Sequence, residues 1–375
     1  MTTSTQATSS LGLSVPVTDV EQALRSLWEE DQANTKASLI NFAIFSENPN
    51  ALERNSEWIR QITSENACRA ILVDADFNEE EDQSVEAWVT AHCHLQGAKQ
   101  SVCSEQVAFR LRGRMLGRMR NIILAHLLSD LPLIFWWQGR LSNSPAWRTK
   151  LYQQVDRLIV DSKSWGKGSA LADELDILAD AAEERGDALI ITDLNWTRVL
   201  PFRNAIIALF DDTRFLARVD QIQALEISGN LEAPGAMLGL AAWVATSLKW
   251  TLTEPRADGA TFTAADGSKR TLKLNQATNG ELNIEHFRME FEDGAIEVTY
   301  SDDSHTHLQV DAAIADIRDH DLTPIGKSSC ADLVMIQLAR ATRDDIYRSI
   351  LPMFRQLARG KAITWGTTSE GVSDK

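Results

Sequence analysis

The sequence is short of cations. Its 37 Lys and Arg face 53 Asp and Glu, a formal net charge of −16. General binding to nucleic acid or to an anionic membrane draws on a basic field, so neither is expected as a partner. Cysteine is scarce too. Cys68, Cys93, Cys103 and Cys330 form no C-x-x-C pair, and scattered thiols in a reducing compartment are by default buried and free. No apolar run approaches the roughly 20 residues that span a bilayer. The opening stretch MTTSTQATSS has no basic-then-apolar pattern, and a cytoplasmic location is expected.

Linear signatures of catalysis are missing as well. No G-x-G-x-x-G follows a strand-like run, and neither G-x-x-x-x-G-K-[ST] nor G-x-S-x-G occurs. SWGKGS (164–169) has the flavour of a phosphate loop but lacks its first Gly at the required spacing. His92/His94 and His305/His307 each place two imidazoles on one face of a strand, yet neither pair has third and fourth ligands nearby in sequence. Asp74 and Asp76 end an apolar run where magnesium can bind, but such carboxylates more often start a loop. The reading is therefore no catalytic constellation, no metal and no cofactor.

What is present is a core. The chain has 375 residues, 44% hydrophobic and 24% charged, enough for two domains. Eleven Trp stand against three Tyr, and Trp favours cores and interface centres. Strand-like runs (ASLINFAIFS, CRAILVDAD, PLIFWW, DRLIVDS) alternate with helical spacings at 18–31, 50–65 and 114–128. That pattern implies an α/β domain. VEAWVTAHCHL and SVCSEQVAFRLRG read as two strands joined near Gly97. The second half repeats the alternation, then carries hairpin signals at Asp266-Gly267 and Asp293-Gly294. A last strand is expected at 332–340 and a helix at 343–359.

The predicted organisation is a disordered lead (1–17), an N-terminal α/β domain (18–163), a C-terminal α/β domain (164–362) with a β-rich insertion at about 260–315, and a disordered tail (363–375). The fold class is two α/β domains with mostly parallel or mixed sheets, the second bearing an antiparallel β-hairpin extension.

Two segments attract functional attention. In SDLPLIFWWQGRL, Trp136 and Trp137 end a strand before a turn at Gln138-Gly139-Arg140. Adjacent strand residues face opposite sides, so one indole is expected to look into a cleft. In DLNWTRVLPFR, Trp196, Arg198 and Arg203 follow a strand in the same way, and a helix beginning near Thr197 could favour an anion. Trp136, Trp137, Arg140, Trp196, Arg198 and Arg203 are the candidate partner- or anion-binding residues, lining a shared cleft. The alternative is that they simply pack. Glu105 is expected to be an inward carboxylate paired with Arg112 or Arg114. If a disulfide forms, Cys68 and Cys103 are the candidates.

CRAILV (68–73), CSEQVAFRLRG (103–113), HLLSDLPLIFWWQGRL (126–141), DRLIVDS (156–162), DLNWTRVLPFRNAIIALFD (193–211) and GLAAWVATSLKW (239–250) occur in an order that resembles the glucose-6-phosphate dehydrogenase assembly protein family, OpcA. Phe202 stands where that family more often has Trp. The resemblance implies a non-enzymatic, allosteric activator that binds glucose-6-phosphate dehydrogenase and promotes its active oligomer in the oxidative pentose phosphate pathway. In some members the effect depends on thiol redox state; with no paired cysteine motif, only a modest redox effect is expected here. The rival expectation is an orphan enzyme or sugar-phosphate-binding protein using the Trp/Arg cleft.

Overall fold

The computed structural model describes residues 11–29, 34–48, 50–76, 84–96, 100–143, 151–278, 280, 282–302, 304–326, 329–340 and 344–360. The chain divides into two compact units. Unit 1 takes residues up to 161, then 180–194 and 328–343; unit 2 takes 162–179, 195–327 and the residues from 344 onward. The expected single boundary near 163 is thus replaced by an interleaved path, because a strand and a helix from later in the chain complete unit 1.

The first elements are β1 (Leu13–Val15), α1 (Val20–Glu29), β2 (Asn34–Lys36), β3 (Ile40–Ser46), α2 (Ala51–Ile62) and β4 (Cys68–Asp76). Next come β5 (Val85–Gln96), β6 (Gln100–Arg112), α3 (Met119–Ala125), β7 (Leu133–Gln138) and β8 (Arg157–Val160). Helix α4 (Ser169–Arg185) leads to β9 (Ile190–Asp193). The sheet of unit 1 runs β1-β5-β6-β4-β3-β7-β8-β9, with β2 also on β6. From β6 to β9 every neighbour is parallel. Parallel strands covered on both faces need unbroken apolar runs, and Cys68 to Ala75 is buried without interruption.

The chain continues with α5 (Leu194–Arg198), α6 (Leu200–Phe210), α7 (Thr213–Leu216), β10 (Ala224–Gly229) and α8 (Gly235–Ser247). Then come β11 (Thr251–Arg256), β12 (Gly259–Thr263), β13 (Lys269–Gln276), β14 (Ile284–Phe291), β15 (Gly294–Tyr300), β16 (His307–Ile314) and β17 (Ile317–Pro324). Helices α9 (Cys330–Leu338) and α10 (Asp345–Arg359) close the described chain. The sheet of unit 2 runs β11-β12-β13-β10-β14-β15-β16-β17, parallel only between β10 and β13. Both units are α/β with mixed sheets. Among the described residues no helix is long and apolar enough to cross a membrane.

Both predicted hairpins form. Asp266-Gly267 lies between β12 and β13, and Gly267 takes the positive φ of 81° that suits glycine. Asp293-Gly294 joins β14 to β15. The β-rich region is wider than expected, 251–324, and makes most of the unit 2 sheet rather than an appendage.

Several expectations are corrected. Residues 332–340 are not a strand; α9 occupies them through Leu338. Short apolar runs are ambiguous by periodicity, and the decisive signal is the capping box of Ser329 and Asp332, S-x-x-D, in which each holds the other's backbone N–H at 3.2 Å. The lead is not structureless throughout, since Leu13–Val15 pairs with β5 and Leu11 is buried. The expected helix at 114–128 begins as a 3-10 turn (Gly113–Arg118) before α3. The rest of the lead (1–10), Gly97, the acidic run at 78–83 and the tail (363–375) lie outside the described residues.

Candidate functional site

In unit 1 strand order reverses at β3, which has β4 on one side and β7 on the other. Open α/β sheets place ligand crevices at the carboxyl ends of strands at such a reversal. The WWQGR stretch ends β7 there. Trp136 and Trp137 do face opposite sides, but both are covered, at 2% and 0% exposure. Trp136 stacks on Trp58 of α2, ring centres 5.2 Å apart. Trp137 packs against Phe45 at 4.4 Å and Phe135 at 5.7 Å. The expected outward indole is therefore absent, because each face of this sheet has its own aromatic layer.

Polar side chains fill the reversal. Asn55 and Gln138 exchange amide hydrogen bonds of 3.2 and 2.9 Å. Gly139 sits at φ 125°, and a Cβ there would lie 3.1 Å from the Glu47 carboxyl. That close approach explains the glycine. Arg140 is half-buried and already engaged.

Asp74, beside Ser46 in register, is fully buried at the end of β4. Burial pushes its pKa up to about 7, against the pull of Arg110. The Arg110 Nε lies 3.7 Å from Asp74, and its other nitrogens lie 3.6 Å from Glu53 and 3.9 Å from Glu86. Sequence reasoning saw Asp74 only as half of an Asp-x-Asp pair. The register that sets Arg110 beside it comes from the parallel pairing of β4 with β6. Glu105 is inward as expected, with different partners. Trp28 Nε1 donates to it at 2.6 Å, Lys36 lies at 2.7 Å and Arg69 at 3.5 Å. Arg69 also pairs with Glu21, which meets His126 at 3.1 Å. Arg112, expected with Arg114 as one of two alternative partners, reaches toward Glu86 at 3.7 Å instead.

In unit 2, α5 and α6 carry the second segment. The Arg203 guanidinium stacks 3.6 Å from the Trp196 ring centre and donates to the Trp196 carbonyl at 3.4 Å. Trp196 Nε1 donates to Asp344 at 3.0 Å. Trp196 and Arg203 are 4% and 5% exposed, so they consolidate unit 2 rather than face a ligand. Arg198 remains half-buried and engaged. Of the six candidates, only Arg140 and Arg198 keep appreciable surface.

The cysteine expectation is also corrected. Cys93 and Cys103 face each other across the β5/β6 hairpin and form a disulfide. Cys68 is a buried free thiol whose pKa burial pushes up to about 12. The signal lay in the strand pairing: the antiparallel register that sets Gln96 opposite Gln100 sets 93 opposite 103. His92 and His94 bond to Gln106 at 2.9 Å and Thr63 at 3.0 Å. Burial lowers the His92 pKa. Lys167 of SWGKGS pairs with Glu232 at 2.7 Å. Among the described residues no group of three or more His, Cys, Asp or Glu is placed to hold a metal ion.

Comparison with known proteins decides the family. An OpcA model described as the glucose-6-phosphate dehydrogenase subunit N-terminal domain matches residues 59–176, and the corresponding C-terminal domain matches residues 190–351. The chain belongs to the OpcA family. An OxPP cycle protein OpcA from Synechocystis sp. is 27% identical over 243 residues, 64% of this chain and 49% of that one. Its namesake from Synechococcus elongatus is 26% identical over 206 residues, 54% of this chain and 44% of that one. The chain thus spans about half the length of the curated OpcA relatives it matches. Among solved structures, KijD10, a 3-ketoreductase from Actinomadura kijaniata, has a TM-score of 0.48 at 10% identity, covering 85% of this chain and 96% of its own. An NAD binding oxidoreductase from Klebsiella pneumoniae has a TM-score of 0.46 at 11% identity, covering 87% and 97%. Likeness at that level carries no functional statement about this OpcA family member.

Proposed function

We propose that this chain is a non-catalytic assembly factor and allosteric activator of glucose-6-phosphate dehydrogenase, acting in the oxidative pentose phosphate pathway. The observation that carries the reading is the pair of consecutive family matches, both described as parts of a subunit of that dehydrogenase. The curated OpcA relatives, named for the OxPP cycle, point the same way. The geometry is compatible: at the strand reversal of unit 1, Asn55 and Gln138 spend their amides on each other. The rival, an enzyme or sugar-phosphate binder using a Trp/Arg cleft, draws less support because Trp136, Trp137, Trp196 and Arg203 are buried.

An activator must bind the competent state of its enzyme more tightly than the weak one. Steady-state kinetics of the dehydrogenase, with and without saturating amounts of this chain, test the proposal. The expected outcome is a lowered substrate KM or a raised activity, with no turnover from the chain alone. Unchanged kinetics would overturn it.

A further inference from the structure

Unit 2 carries an open apolar cavity of about 220 Å³, apart from the site described above. Ile206 and Phe210 of α6, Trp243 of α8 and Met289 of β14 line it. Ile206 and Met289 are buried, whereas Ile207 and Leu216 at its edge are 47% and 51% exposed. Large apolar side chains left in water around an apolar cavity mark an interaction surface. A dry cavity of about 150 Å³ admits a benzene-sized group, so this one accommodates one aromatic or two aliphatic side chains.

Charge at the mouth narrows the occupant. The cations of the adjoining loop are committed: Arg214 to Asp212 at 2.7 Å, Arg218 to Asp293 at 2.6 Å. Asp211, in the cavity wall, and Asp220, next to Val219 of the lining, are exposed carboxylates with no side-chain partner among the described residues. Lys249, next to Leu248 of the lining, is an exposed cation, so these carboxylates outnumber it two to one and the balance at the mouth is anionic. Small-molecule sites set several convergent polar groups within an apolar wall. Among the described residues of the lining, Asp211 and Ser247 alone bring a carboxylate or hydroxyl, which suits a polypeptide held mainly by its side chains.

We infer that this groove docks a partner protein through one or two bulky apolar side chains flanked by Lys or Arg. The identity of that partner as the dehydrogenase rests on the functional reading above. Binding of the purified dehydrogenase is to be measured for the full chain and for Ile207→Glu, Leu216→Glu and Asp211→Lys. Leu322→Glu serves as control, an equally exposed apolar position on β17 outside the cavity lining. The three groove variants should each raise Kd by at least about tenfold, with melting temperatures at the wild-type value and Leu322→Glu unchanged. Wild-type binding with the same Kd in all groove variants overturns the groove and leaves the functional reading standing. No wild-type binding overturns the functional reading and the groove's partner together. Self-association of the wild type that Ile207→Glu abolishes, with dehydrogenase binding intact, assigns the groove to a second copy and overturns the proposal.

Discussion

In unit 1 the strand Cys68–Asp76 is buried from its first residue to its eighth; in unit 2 the strand Ile284–Phe291 alternates half-buried and buried residues from His286 to Phe291. The parallel strands of the first sheet are covered on both faces, and the second sheet on one. Their charges live accordingly. Glu105 and Asp74 are held inside unit 1, one in a network of cations and one largely deprived of them. On the open face of unit 2, Lys273, Glu226, Arg288, Glu297, Asp311 and His320 follow one another across six strands in register. Glu297 and Asp311 face each other there; Arg288 pairs with Glu297, and His320 Nδ1 lies 2.8 Å from Asp311. The same residue types are structural commitments in one sheet and solvated pairs in the other.

The sharpest way to break that comparison is to remove Glu105. Glu105→Ala takes away the acceptor of Trp28 Nε1 and the buried one of the two carboxylates beside Arg69, which is 4% exposed and keeps only the half-exposed Glu21; breaking a buried charge network of this kind costs about 3–5 kcal/mol. Denaturant melts at neutral pH should show it as a lower midpoint with unchanged slope. Asp74 tests the opposite sign. Its pKa in the fold, about 7, lies above the ordinary aspartate value, so the folded state keeps a proton that the unfolded chain has lost. Stability from this group is therefore present below about pH 4 and lost as pH rises toward 7. Asp74→Asn should stabilise the protein by about 2–4 kcal/mol at pH 8 and by less at pH 5, as paired melts at the two values will show.

Smaller effects follow. Cys93→Ser removes a cross-strand link closing a loop of ten residues, with an expected loss of about 2–3 kcal/mol relative to the oxidised protein. The same shift should appear on reduction of the wild type, and equal melts with and without reductant would contradict the disulfide. Least affected should be Arg288→Ala on the open face, within about 1 kcal/mol of wild type. A loss there as large as that of Glu105→Ala would erase the distinction between the sheets.

Much of this was legible in the sequence, for identifiable reasons. CRAILVDAD and LPLIFWW announced buried parallel strands by unbroken apolarity. The two Asp-Gly pairs announced their hairpins, because the turn geometry demands those residues. The helix at 330–338 was missed because ADLVMIQL has no decisive period, although Ser329 and Asp332 carried the cap. The interleaved units were out of reach, since nothing local tells that β9 and α9 return to the first sheet. At the candidate site, the residue types were legible but not their burial. Adjacent indoles imply two faces, and no local signal says that Trp58 and Phe45 cover them both. The Asp74–Arg110 and Glu105–Arg69 meetings depend on strand register, which sequence spacing alone does not set.

The central claim is association with glucose-6-phosphate dehydrogenase, and sedimentation velocity of an equimolar mixture tests it most directly. The account predicts that the dehydrogenase boundary shifts to a heavier species containing both chains, with the free chain depleted. Two boundaries at the positions of the separate proteins, at concentrations of about 10 μM, would contradict it, since that excludes any complex with a free energy near −8 kcal/mol.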